Sequence, residues 1–337
     1  MKNTFFTIAA AVMLSSCAVW QNDGFNTAFK GITADELRTD LMVVASDAME
    51  GRETGSPGQK KAGEYLIEQY RKMGVGHPPS MQSYYQAVPA SFLNRRARRV
   101  KLNDSENILA YIPGSEKPEE IIVISAHYDH VGMSNGEIYN GADDDGSGTV
   151  ALLEIAEAFQ DAKKKGKGPK RSVLFLHVTG EEHGLLGSDY YTQNPVFPLA
   201  NTVANLNIDM IGRVDPDHKM NPNYVYVIGS EMLSTELKAI SERANTKYTS
   251  LLLDYKYDDP ADPNRLYYRS DHYNFAKHGV PVAFYFDGIH EDYHKPTDTP
   301  DKIDYPLLQK RTQLVFATAW ELANRKDRIV VDKNEHR

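Results

Sequence analysis

Five short apolar runs constrain this chain more than any other feature. They are IIVISAH (121–127), SVLFLHVT (172–179), TVANLNID (202–209), YVYVIG (224–229) and VPVAFYF (280–286). Each is nearly continuous in hydrophobicity and rich in β-branched or aromatic residues, as a strand buried on both faces requires. Helical patterns fill the gaps at 147–164, roughly 184–193, 232–245 and about 305–325. Strands alternating with helices predict one α/β domain of three α/β/α layers, with a mostly parallel sheet. Upstream, Thr33 and Glu36 form a capping box that opens a helix, and Ser56-Pro57 opens another running to Gly74. Its apolar stripe of Ala62, Leu66, Tyr70 and Met73 needs a covering surface. Residues 18–30 lack periodicity and read as a tether.

In such sheets, ligands collect at the carboxyl ends of the strands. The polar residues of this chain fall there. The first run ends in His127-Tyr128-Asp129, and the loop after it is NGADDDGSG (140–148). Glu181-Glu182 follow the second run, Asp209 ends the third, and Tyr293-His294 come shortly after the last. Singly, each is weak: a histidine after a strand is usually packed or solvated, paired glutamates decorate a helix start, and an acidic triplet is usually a turn. Together, five such accidents at one edge are improbable. Carboxylates held in contact must take up protons unless cations neutralise them. Two divalent ions balance three carboxylates and a hydroxide, and imidazole with carboxylate oxygen and no sulfur fits zinc best, with manganese or cobalt as substitutes.

Charge excludes one large class of function. Lys and Arg number 38 against 46 Asp and Glu, a net charge of −8, whereas phosphate neutralisation needs a basic face. The basic stretches NRRARR (94–99) and KKKGKGPKR (163–171) read as a turn and a solvated helix end. The N-terminus MKNTFFTIAAAVMLSSC has a Lys, an apolar run and small residues before Cys17, the one cysteine of the chain. That is a signal peptide over 1–16, too short for a permanent membrane span. Leu14-Ser15-Ser16-Cys17 resembles a bacterial lipoprotein box, which implies an exported protein on the periplasmic side or outer membrane, held through a lipidated Cys17.

AHYDHVG (126–132), NGADDDGSG (140–148), TGEEHGLLGS (179–188), NIDMIG (207–212), RSDH (269–272) and YHKPTDT (293–299) together resemble the co-catalytic zinc aminopeptidases of metallopeptidase family 28. SDAMEGRETGSPGQKKAGEYL (46–66) resembles that family's N-terminal segment. The resemblance implies a twisted eight-stranded mixed sheet, a catalytic domain over 31–328 after a 17–30 tether, and a tail at 329–337. It also implies two Zn2+ ions held by His127, Asp144, Glu182, Asp209 and His294, with Asp144 bridging and a cis peptide at Asp144-Asp145. Asp129 would take the other N–H of His127, and Glu181 would be the general base acting on a metal-bridging water. Tyr267, with Tyr268 as substitute, would hold the oxyanion; Asp271 would support the pocket or a substrate amine.

Asp143 and Asp145 read equally well as loop-stabilising residues or as a plain turn. His130, His183 and His272 match no ligand; His77, His218, His278, His290 and His336 read as surface or packing residues. Asp258, Asp259 and Asp262 form either a flexible acidic loop or a calcium site. The expected activity is removal of N-terminal residues from peptides. The alternatives on the same scaffold are glutaminyl cyclisation, acidic-dipeptide carboxypeptidase action, or a binding protein on a dead enzyme fold.

Overall fold

The structure is a computed structural model describing residues 23–95, 100–259 and 261–333. The expected signal peptide, Cys17 and part of the basic run at 96–99 lie outside the described residues. The sheet strands are β1 Tyr85–Val88, β2 Ser105–Ile112, β3 Lys117–His127, β4 Arg171–Val178, β5 Thr202–Ile208, β6 Tyr224–Ile228, β7 Leu252–Asp254 and β8 Val282–Phe286. They form one eight-stranded sheet in the order β1-β2-β4-β3-β5-β8-β6-β7. The central strands β4, β3, β5 and β8 run parallel, while β2 and β6 flank them antiparallel.

Register places the site. His127 pairs with Val178, Ser125 with Asn207 and Tyr285 with Ile208, so the four parallel strands stop nearly level at one edge. The segments leaving these strands therefore emerge side by side. Alternate residues of β3 feed two different cores: Ile122, Ile124 and Ala126 pack on one face, Ile121 and Val123 on the other. The helices Gly148–Lys164 and Tyr305–Asn324 supply much of the first core. Burial on both faces explains why the strands read as unbroken apolar runs.

Two N-terminal helices start where their caps predict. Thr33 Oγ1 accepts from Glu36 N at 3.2 Å to open Ala34–Val44, and Ser56 Oγ accepts from Gln59 N at 3.2 Å to open Pro57–Met73. The tether expectation fails from Asp23 onward. Asp23–Gly31 is a helix whose Phe25 is fully buried, stacked on Phe316 at 5.7 Å and edge-on to Trp320 at 5.7 Å. Nine residues give too few turns for a period to show in sequence. The tail boundary shifts similarly: Ile329 is buried, and Asp332 accepts from Thr235 N at 2.9 Å.

Candidate active site

His127 is the last residue of β3, Glu181 and Glu182 follow β4, Asp209 follows β5, and His294 lies in the loop after β8. The expected metal-ligand positions meet. His127 Nε2 lies 3.2 Å from Asp144 Oδ1 and 3.5 Å from Asp209 Oδ1. His294 Nε2 lies 3.0 Å from Asp144 Oδ2 and 3.1 Å from Glu182 Oε2. The two oxygens of Asp144 thus face two different histidine–carboxylate groups. A third imidazole joins them: His130 Nδ1 is 2.8 Å from Glu182 Oε1 and 3.8 Å from Asp144 Oδ2.

The acidic triplet divides its work. Asp145 spends its carboxylate on backbone, accepting from His127 N at 3.1 Å, Gly148 N at 2.9 Å and Met210 N at 3.1 Å. Asp143 accepts from Gly212 N at 2.7 Å and meets His290 Nε2 at 3.1 Å. Only Asp144 keeps an oxygen without a hydrogen bond. The glycines around the triplet permit this. A Cβ on Gly141, which sits at φ 56°, would lie 2.3 Å from Asp144 O; one on Gly148 would lie 2.4 Å from Asp145 Oδ1. The Asp144-Asp145 peptide is cis, as expected.

Residues that sequence reading did not single out hold the loop from behind. Asp298, fully buried, accepts from Asp143 N at 3.0 Å and Asp144 N at 3.2 Å. Arg52, also fully buried, donates to four carbonyls, those of Val44, Tyr128, Asn140 and Gly141. It sets one positive charge beneath the aspartates; burial lowers the proton affinity of its guanidinium, and the charges of Asp298, Asp144, Asp145 and Asp129 oppose this.

The donor set fits a cation. His127 Nε2, Asp144 Oδ2, Glu182 Oε1 and both ring nitrogens of His130 are buried without a hydrogen bond, an arrangement that is costly unless something else satisfies them. Two sets of ligand-type atoms, His127/Asp145/Asp209 and His130/Asp144/Glu182, each lie within 4.8 Å of one another. Because the oxygens of Asp145 are already committed, Asp144 is the better ligand for both groups. Zinc donors at about 2.0–2.1 Å in a tetrahedron stand about 3.3 Å apart, close to the contacts found. Protons are the alternative: burial opposes it, but Asp144 and Glu182 push the His294 imidazole up to about 10.

A cleft opens onto these groups, lined by Asp144, Glu181 and Asp209 together with Tyr293 and an apolar wall. Burial drives the Glu181 carboxyl well above its usual range; His127 opposes this and Asp209 adds to it. Its backbone N–H is held by Asp129 Oδ1 at 3.2 Å. Two expectations need correction. The Nδ1 of His127 meets the main-chain oxygen of Asp129 at 3.0 Å, while the Asp129 carboxylate stands 3.8 Å away and accepts instead from Thr54 Oγ1 at 2.7 Å. Tyr267 is buried among Tyr268, Tyr273 and His272 and does not line the cleft. Tyr293 does, stacked on His294 at 3.8 Å. Its phenol is kept protonated by burial and by the charge of Asp144, Glu182, Asp209 and Glu181.

Residues 107–319, the stretch carrying all of these groups except Arg52 and Thr54, match the pattern described as Peptidase family M28. The chain belongs to peptidase family M28. A probable leucine aminopeptidase of Arthroderma otae is 29% identical over 317 residues, covering 85% of this chain and 84% of that protein. The zinc aminopeptidase of Bacillus subtilis superposes with a TM-score of 0.66 at 18% identity, over 90% of this chain and 99% of that one. Glutaminyl cyclase of Porphyromonas gingivalis does so equally well, at 0.66 and 19%, over 85% and 97%. The last two show the fold alone.

The remaining sequence candidates sit elsewhere in this M28 chain. Asp271 is fully buried and accepts from Ser188 Oγ, and burial raises its carboxyl to about 7. The acidic side chains of this loop are taken up by backbone: Asp258 accepts from Gly229 N at 2.7 Å, after β6, while Asp259 accepts from Ala261 N at 2.8 Å and Asp262 from Leu266 N at 3.0 Å within the loop. These three belong to neither of the two ligand sets found among the described residues.

Proposed function

We propose that the protein is a zinc-dependent aminopeptidase that binds two ions, one in the His127/Asp144/Asp209 group and one in the His294/Asp144/Glu182 group. The observation that carries this is Asp144, whose oxygens face one group each. When bound, zinc supplies Lewis-acid polarisation of the scissile carbonyl and acidifies water. Glu181, on the cleft wall and outside both groups, takes the proton of the attacking water on its carboxylate and passes it to the leaving amine. The protonated phenol of Tyr293 donates a hydrogen bond to the developing oxyanion. The carboxylates of Glu181 and Asp209 attract a free α-ammonium, which restricts cleavage to chain ends.

The test is a panel of aminoacyl anilides and blocked dipeptides with native, chelated and Glu181→Gln protein. Glu181→Gln is expected to keep its metal and lose about three or more orders of magnitude in kcat. A variant nearly as active as wild type contradicts the assignment. Turnover of glutaminyl peptides to cyclised product without anilide hydrolysis reverses the reading in favour of a cyclase. We also propose export and lipid anchoring through Cys17, on the strength of Leu14-Ser15-Ser16-Cys17.

A further inference from the structure

Among the described residues that line the catalytic cleft, Arg269 is the one cation, and it shares the wall with Asp144, Glu181 and Asp209. Its main chain is pinned. Its N–H donates to Leu266 O at 3.0 Å, and the next residue, Ser270, is buried and donates to Asp209 Oδ2 at 2.6 Å. Its side chain is different: it is exposed, and among the described residues it meets no carboxylate, carbonyl or ring. The other arginines near the cleft are engaged. Arg265 lies over the Tyr268 ring at 4.8 Å, and Arg213 pairs with Asp292 at 2.8 Å.

We propose that Arg269 is a specificity residue that receives a carboxylate of the substrate; this rests on the aminopeptidase reading above. Among the described residues none of the three cleft carboxylates, Asp144, Glu181 or Asp209, pairs with it, and two of them are engaged elsewhere. Asp144 faces the two imidazoles, and Asp209 faces His127 and Ser270. A guanidinium presents a planar fork that matches a carboxylate through two parallel hydrogen bonds. The need for such a group is electrostatic. The chain carries a net charge of −8 and the cleft exposes acidic side chains, so an anionic substrate is repelled unless a local cation receives it. The carboxylate comes from one of two sources, an acidic first side chain or the C-terminus of a short peptide. Beside Arg269 the wall is apolar, with Leu266, Phe284 and Ile289, so the aliphatic part of either ligand packs while its anionic end reaches the fork.

The experiment compares zinc-loaded wild type, Arg269→Gln and Arg269→Lys on two substrate pairs that differ only in a carboxylate. These are glutamyl- against glutaminyl-anilide, and Leu-Gly against Leu-glycinamide. The readout is the ratio of kcat/KM within each pair, which cancels any general loss of activity. For an exposed ion pair, the ratio should fall about two- to fivefold in Arg269→Gln, with Arg269→Lys between. A fall in the first pair alone assigns the side-chain carboxylate; a fall in the second alone assigns the C-terminus. If neither ratio moves, the proposal is overturned. Calorimetric binding of L-glutamate against L-glutamine, and of Leu-Gly against Leu-glycinamide, to zinc-loaded Glu181→Gln with and without Arg269→Gln needs no turnover. A carboxylate preference that disappears with Arg269, in a protein that hydrolyses no peptide, keeps this proposal and sinks the peptidase reading. No preference for either carboxylate sinks the proposal itself.

Discussion

Asp298 touches no expected ligand side chain, yet its carboxylate receives the backbone N–H groups of Asp143 and Asp144. It thereby aims the carboxylate that both histidine groups share. Asp298→Asn keeps the shape but turns one acceptor oxygen into a donor facing those N–H groups. The expected outcome is a loss of about ten- to a hundredfold in zinc affinity with the fold retained, measured by competition with a chelator and by circular dichroism. Unchanged affinity would show that the loop holds itself. This residue, Arg52 and His290 were not legible as site residues, because they act on backbone groups or on another aspartate and leave no spacing signal. The imidazoles and carboxylates at strand ends were legible because a strand end is a position that sequence can locate. Tyr267 was misplaced for a related reason: adjacent aromatic residues in a turn do not declare which of them faces the cleft, and the phenol that does so, Tyr293, stands next to a histidine read only as a ligand.

At the scale of elements, the helix Gly148–Lys164 carries Glu154 on its buried side, where among the described residues the carboxyl meets only Thr33 N at 3.5 Å. Burial, with Glu36, Asp40 and Glu157 adding, raises it from an ordinary 4.5 to about 9. The folded protein therefore keeps this proton at neutral pH while the unfolded chain releases it. Its contribution to stability is fully present below the unfolded value and is lost as pH rises towards 9, by up to about 1.4 kcal/mol per pH unit. Glu154→Gln should raise the melting temperature, and by more at pH 8 than at pH 5; an equal effect at both would contradict the assignment. Element existence was largely readable. β3, β4, β5, β6 and β8 are apolar runs buried on both faces, whereas β1 and β7 are the sheet edges, where burial is needed on fewer residues and the pattern weakens; β2 is buried almost throughout, but its run SENILAYI opens on three polar residues.

Over the whole molecule, the helix Asp23–Gly31 is part of the domain, since Phe25 enters the same core as Phe316 and Trp320. The α/β/α layering followed from the alternation of runs, while sheet order and the level strand ends required the pairing itself. If Cys17 carries the anchor, wild-type protein expressed in a bacterium should incorporate labelled palmitate and sediment with membranes. Cys17→Ser should lose the label and move to the soluble fraction; label retained in the variant would remove Cys17 from the account. The two-ion centre is tested most directly by anomalous diffraction at the zinc edge from zinc-loaded crystals. Two peaks less than about 4 Å apart are predicted, one on either side of the Asp144 carboxylate. A single peak, or peaks that do not share that carboxylate, would contradict the two-ion centre.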